Sequence, residues 1–106
     1  MISVVLFSRE SSVIGFRVTG HAGYADRGSD VVCAGVTTAV QMTANGVTEC
    51  AGVDAEVEVS DNLISLRLPD HCQNDSAAVL LESFELQMKI MTEEYNEFIA
   101  LTYAEV

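Results

Sequence analysis

The chain has 106 residues, 49% of them hydrophobic, and five Lys and Arg against 16 Asp and Glu give a net charge of −11. This length and composition predict one folded domain over residues 1–106 and argue against a disordered chain. A surface this acidic repels a phosphate backbone, which argues against direct nucleic-acid binding. The charge either serves solubility alone or attracts basic partners.

Nothing in the sequence predicts export or membrane insertion. The first ten residues, MISVVLFSRE, lack the basic stretch and cleavage site of a signal peptide. No apolar run is long enough to span a membrane. The three cysteines are an odd number and cannot all pair within one chain. We therefore expect a cytoplasmic protein with reduced thiols.

The first two predicted elements are strands. Residues 2–7 (ISVVLF) are β-branched and apolar, and residues 13–19 (VIGFRVT) alternate. In the second strand this alternation places Ile14, Phe16 and Val18 on the buried face. The short polar segment between the two runs predicts a hairpin.

A loop and a buried helix are predicted next. Residues 20–29 contain three glycines and no hydrophobic periodicity, which is typical of a mobile loop. Asp30 is then in the position of a helix N-cap. The segment that follows, residues 31–52, is almost wholly apolar or small, which predicts a central helix.

The second half repeats this order. Residues 55–59 (AEVEV) and 63–68 (LISLRL) predict a hairpin, and Asn74, Asp75 or Ser76 caps a helix that ends near Tyr95. Residues 98–104 (FIALTYA) predict a last strand. The helix has an apolar stripe at helical spacing, formed by Ala77, Leu80, Leu81, Phe84, Met88, Met91 and Tyr95.

The predicted order is therefore ββαββαβ in a single α+β domain. Two ββα halves favour an antiparallel or mixed sheet with both helices packed on one face.

Cys33 is the first candidate for chemistry. If Asp30 caps the helix, Cys33 is the third helical residue, beside unpaired backbone N–H groups and the positive end of the helix dipole. Both favour the reactive thiolate, and the same N–H groups can bind a developing oxyanion. The alternative is that Cys33 is a small apolar residue in a buried helix.

His21 is the candidate base. The loop that begins at His21 returns the chain to the helix start, so His21 and Cys33 can approach each other. An imidazole can take the thiol proton and return it to the leaving amine near neutral pH. The alternative is an ordinary surface histidine. Asp30 either only caps the helix or also orients His21.

The remaining candidate site residues have weaker support from the sequence. His71 and Cys72 are adjacent and could join Cys33, Cys50 and His21 as metal ligands, but no CxxC or HxxxH spacing supports a metal site. The glycine-rich phosphate-binding motifs GxxxxGK and GxGxxG are absent. We therefore predict no metal and no cofactor.

The segment GHAGYADRGSDVVCAGVTTAV, residues 20–40, resembles the signature of the bacterial ribosomal-processing cysteine protease family, Prp. Chain length and element order are also similar to that family. The resemblance implies that His21 and Cys33 are the catalytic pair and that Asp30 lies beside it. It also matches the loop glycines Gly20, Gly23 and Gly28, which would let a loop over the site open.

The resemblance further implies a substrate and an assembly. Such proteases remove a short N-terminal extension from the twenty-seventh large-subunit ribosomal protein, cutting after an aromatic residue, and they form homodimers. A ribosomal protein is basic, so the −11 charge suits it. Two positions depart from the family pattern: Gly35 replaces a common Ala, and Thr37 replaces a usual Ser while keeping the hydroxyl.

Two rival functions stay open at this point. A non-catalytic acidic chaperone could hold the basic tail of a ribosomal protein, but it would not need a reactive thiol beside a histidine. A small thiol hydrolase acting on a metabolite would need a closed, compact pocket rather than a groove of peptide size.

Overall fold

A computed structural model describes residues 1–20 and 27–106, and of residues 27–30 it describes the backbone alone. The strands there are β1 (Ile2–Arg9), β2 (Ser12–Thr19), β3 (Glu56–Ser60), β4 (Leu63–Arg67) and β5 (Ile99–Glu105). The helices are α1 (Arg27–Asn45), which continues into a π-helical turn (Gly46–Cys50), and α2 (Asp75–Glu94). The predicted order ββαββαβ is confirmed. No helix in these residues combines the length and the apolar character needed to cross a membrane.

The five strands form one mixed sheet in the order β3-β4-β2-β1-β5. β1 pairs with β5 in parallel, and the other neighbours are antiparallel. The two hairpins are joined through the β2–β4 pair, which brings the start of β4 beside the end of β2. This pairing positions the candidate site, because β2 ends at the residue before Gly20.

Both helices pack on one face of the sheet, as predicted. Apolar side chains of α1 and α2 share a single core with alternate residues of β1, β2 and β4. The rings of Phe16 and Phe84 lie 4.6 Å apart between centroids. At Gly35 an added Cβ would lie 3.0 Å from Cε of Met91, so this glycine allows the two helices to approach closely.

Two of the three β2 residues that were predicted to be buried are buried in the structure. Phe16 and Val18 are buried, whereas Ile14 is only half-buried. The β1–β2 register shifts between Phe7 and Ser8, which leaves Ile14 without a partner position in the ladder. A bulge of this kind turns a side chain out of strict alternation.

The start of α1 differs from the prediction. The helix begins at Arg27, so Asp30 is its fourth residue rather than its N-cap, and residues 27–29 belong to the helix rather than the loop. Acidic residues are favoured both at the N-cap and within the first turn, because both positions lie near the positive end of the helix dipole. An aspartate before an apolar run therefore does not distinguish the two positions.

The end of the central helix and the start of α2 can also be compared with the prediction. The central helix changes to π geometry at Gly46, where the Ala51 N–H donates to the Gly46 carbonyl over 2.8 Å. In α2, Asn74 is the N-cap, and its side chain accepts a hydrogen bond from the Ala77 N–H at 2.9 Å. The capping prediction is therefore confirmed for α2 and wrong for α1.

Candidate active site

A cavity of about 230 Å³ lies between α1 and the end of the sheet. Its floor is apolar and belongs to the core, while its rim includes exposed residues of α1 and of the β3–β4 turn. As formed by the described residues, the cavity therefore opens to the surface, unlike the closed pocket expected of a metabolite hydrolase. It is lined by Ile2, Val18, Gly20, Cys33, Val36, Thr37, Val40, Gln41, Val59, Ser60, Asp61, Asn62, Leu63 and Ile64.

Cys33 lies in the wall of this cavity. It is half-buried and packs against the edge of the hydrophobic core. Thr37 lines the same cavity one helical turn later, because residues four apart share a helix face. Of the predicted site residues, the structure therefore brings together Cys33, Thr37 and Gly20.

Cys33 is farther from the helix start than predicted. With α1 beginning at Arg27, Cys33 is the seventh helical residue, not the third. Only the first four N–H groups of a helix lack an intrahelical acceptor, and the effect of the dipole fades after the first turn. The helix start is therefore farther from this thiol than predicted and does not by itself supply the activation expected from the sequence.

Gly20 connects β2 to the rim of the cavity. Its φ of +89° lies in the left-handed region, and an added Cβ would collide with the Met1 carbonyl oxygen. Its N–H donates to the Asn62 carbonyl, 3.4 Å away, in the β3–β4 turn. Only glycine fits this position, so Gly20 fixes the backbone as the chain leaves β2.

We expect Gly20→Ala to lower the free energy of unfolding by about 2 kcal/mol or more, because it adds a steric collision to an unfavourable φ. Gly52→Ala is the matched control, since Gly52 also has a positive φ (+69°) but has open space around it. Urea titration of both variants measures the difference. Equal losses of stability would show that the contact with Met1 is unimportant.

The other predicted site residues are less fully described. His21 and Gly23 lie outside the described residues, as do the approach of His21 to Cys33 and most of the predicted mobile loop. Asp30 and Gly28 are known only as backbone within α1. Gly28 lies in the first turn of α1, and its role as a loop hinge stays a prediction.

Those alternative metal ligands that lie in the described residues are not gathered into a site. Cys50 is exposed at the end of the π-helical turn, and Cys72 is half-buried after β4. In the part of the chain that is described, no three His, Cys, Asp or Glu side chains are close enough to hold a metal ion.

Several cavity residues were not anticipated from the sequence. Gln41 lies two turns after Cys33 on α1, and Val59 to Asn62 come from the second hairpin. The spacing of Cys33, Thr37 and Gln41 is a helical signal that could have identified the α1 wall. The hairpin wall depends on the β2–β4 pairing, which joins distant segments and has no local signature.

A profile of the family described as Cysteine protease Prp matches residues 1–100. The chain belongs to the Prp family of cysteine proteases. Its Staphylococcus aureus relative, named ribosomal processing cysteine protease Prp, is 29% identical over 106 residues, covering 97% of this chain and 99% of the relative.

Solved Prp structures share the fold. An S. aureus Prp in complex with a substrate peptide matches with a TM-score of 0.87 and 26% identity, covering 98% of this chain and 100% of that one. The same protease with a covalently linked product peptide also has a TM-score of 0.87, at 27% identity and the same coverage. The chain is thus a cysteine protease with the Prp fold, which confirms the family expected from residues 20–40.

Proposed function

We propose that this Prp-family protein is an endopeptidase that uses Cys33 as nucleophile and His21 as general base and acid. The observation that carries the proposal is the cavity: Cys33 lines it together with Gly20, the residue immediately before His21. Because Cys33 is the seventh helical residue, the proposal assigns the activation of its thiol mainly to His21.

The proposed reaction has two steps. His21 takes the Cys33 proton, the sulfur bonds to the scissile carbonyl carbon, and the C–N bond breaks as His21 gives the proton to the leaving amine. Water, deprotonated by His21, then attacks the thioester and releases the carboxylic acid and the Cys33 thiol. Thr37, one turn after Cys33, is proposed to hydrogen-bond the substrate or intermediate in the cavity, and Asp30 to support His21.

We further propose that the substrate is the twenty-seventh large-subunit ribosomal protein of the host, and that cleavage after an aromatic residue removes its N-terminal extension. The support is the family membership, the S. aureus relative named as a ribosomal processing protease, and the −11 charge suited to a basic substrate. A cytoplasmic location and a homodimer are proposed on the family resemblance alone.

Intact-mass spectrometry of the ribosomal protein tests this function directly. After incubation with the protease we expect its mass to fall by that of the N-terminal extension, with a new N-terminus following an aromatic residue. The acidic-chaperone alternative predicts a stable complex and an unchanged mass. Cleavage at another site in the ribosomal protein would support a protease but would overturn the proposed cleavage site.

Varying the ionic strength should show whether long-range electrostatic attraction brings the basic substrate to the protein. We expect kcat/KM for the basic substrate to fall several-fold as salt rises from about 0.05 to about 0.5 M, because screening shortens the reach of the −11 charge. The control is a peptide of the same sequence with each Lys and Arg replaced by Gln. An equal salt response of the two peptides would show that charge does not steer the substrate.

A further inference from the structure

Strand β3 is an edge of the sheet that leads directly to the cavity. Within the described residues it pairs only with β4, and all five of its residues are exposed. In an antiparallel pair every second residue directs its N–H and C=O away from the partner strand. β3 therefore offers a row of backbone donors and acceptors along its outer side.

Within the described residues, this edge has no second partner strand. Natural edge strands are usually blocked by Lys, Pro, a bulge or a covering element. β3 reads EVEVS, and its register with β4 is regular throughout. β3 has no Lys, Pro or bulge, and its blocking devices are the charges of Glu56 and Glu58, which repel an acidic strand but not a basic one.

The side chains of β3 divide into an apolar face and an acidic face. Val57 and Val59 are paired with Leu66 and Ile64 of β4, on the helix side of the sheet, yet they are 43% and 68% exposed. Glu56 and Glu58 alternate with them and lie on the opposite face. A strand added here would find apolar contacts on one face and, on the other, Glu58 together with Glu56, which lies opposite Arg67 of β4.

The edge is continuous with the cavity that holds Cys33. Val59 and the turn that follows it line that cavity, opposite the α1 residues Cys33, Thr37 and Gln41. The α1 stripe from Cys33 to Gln41 covers nine residues, whose eight steps along the helix axis amount to about 12 Å. Three to four residues of an extended peptide cover about the same length.

The negative charge of the chain favours one kind of binding segment at this edge over another. Pairing β3 with β3 of a second copy would bring glutamates together and add to the repulsion between two chains of −11 each. A basic extended segment is instead attracted to this edge, because its Lys and Arg side chains would lie beside Glu56 and Glu58.

We propose that β3 binds an extended, basic segment of the substrate by strand addition, with the adjoining residues entering the cavity at Cys33. The proposal rests on the proposed function, because it assigns the substrate-binding edge of that site. In this arrangement Val57 and Val59 determine which substrate side chains fit. The backbone hydrogen bonds provide affinity that does not depend on the sequence of the substrate.

An N-methyl scan tests the proposal on the Cys33→Ala protein, which we expect to bind the peptide without cutting it. The probe is a fluorescent peptide spanning the extension junction of the host ribosomal protein, with one backbone amide methylated at a time. Strand addition predicts a period of two: affinity measured by anisotropy falls tenfold or more at alternate positions and changes less than twofold between them. A loss without this alternation would overturn strand addition.

A matched pair of valines supplies the second arm. Val59→Thr should weaken peptide binding about fourfold through the loss of apolar contact. Val79→Thr makes the same change on α2 at a valine of similar exposure (63%) and should have no effect. Equal effects of the two substitutions would overturn the role of Val59. Cleavage of the same peptide by the unsubstituted protein reports on the proposed function separately.

Discussion

Cys33→Ala should reduce cleavage of the ribosomal substrate by at least about a thousandfold, because loss of a covalent nucleophile leaves only binding and electrostatic effects. The structure places Cys33 in the cavity wall, whereas Cys50 is exposed outside it and Cys72 follows β4. The rate of product formation, measured by mass spectrometry under single-turnover conditions, gives the effect.

Cys50→Ala and Cys72→Ala are the matched controls, and both should retain most of the activity. Circular dichroism and urea titration should show that all three variants fold. A folded Cys33→Ala protein that cleaves at the normal rate would eliminate Cys33 as the nucleophile.

His21→Asn should lower kcat/KM by about a hundredfold or more, since asparagine cannot transfer the proton. The matched control is His71→Asn at the only other histidine. His71 has a positive φ of 60°, which asparagine tolerates well, so the control should remain folded and active. Comparable losses in the two variants would contradict a specific role for His21.

The pH dependence adds a second readout on His21. If the active form is a thiolate–imidazolium pair, activity rises as the thiol ionises and falls as the imidazolium loses its proton, giving a bell-shaped profile for the coupled pair. Alkylation of Cys33 by iodoacetamide at mildly acidic pH should then slow markedly in His21→Asn. Unchanged alkylation would show that His21 does not activate the thiol.

Local patterns were sufficient to predict most of the fold. β-Branched alternation identified the strands, and the three possible caps from Asn74 to Ser76 located the start of α2, which Asn74 caps in the structure. The errors occurred where two local explanations fit one residue. Asp30 suited both an N-cap and a first-turn position, and Ile14 suited a regular strand until the bulge altered the register.

The candidate site was only partly predictable. Cys33 and Thr37 stand on one helix at a spacing that the sequence displays, and the family signature identified the segment that contains them. The opposite wall was not predictable from local patterns, because Val59 and Asn62 reach the site through pairing between β2 and β4, more than 40 residues apart in the chain. Such non-local contacts leave no local periodicity.

A substrate-derived affinity label tests the central claim most directly. The probe is the peptide that precedes the scissile bond, with a chloromethyl group in place of the leaving amine so that the peptide ends in a chloromethyl ketone. The Cys33 thiolate displaces chloride, and the labelled site is mapped by tandem mass spectrometry. We predict one label per chain, located on Cys33, with its formation slowed by an excess of uncut substrate. A label located on Cys50 or Cys72, or an active protein that takes up none, would contradict the assignment of Cys33 as the nucleophile.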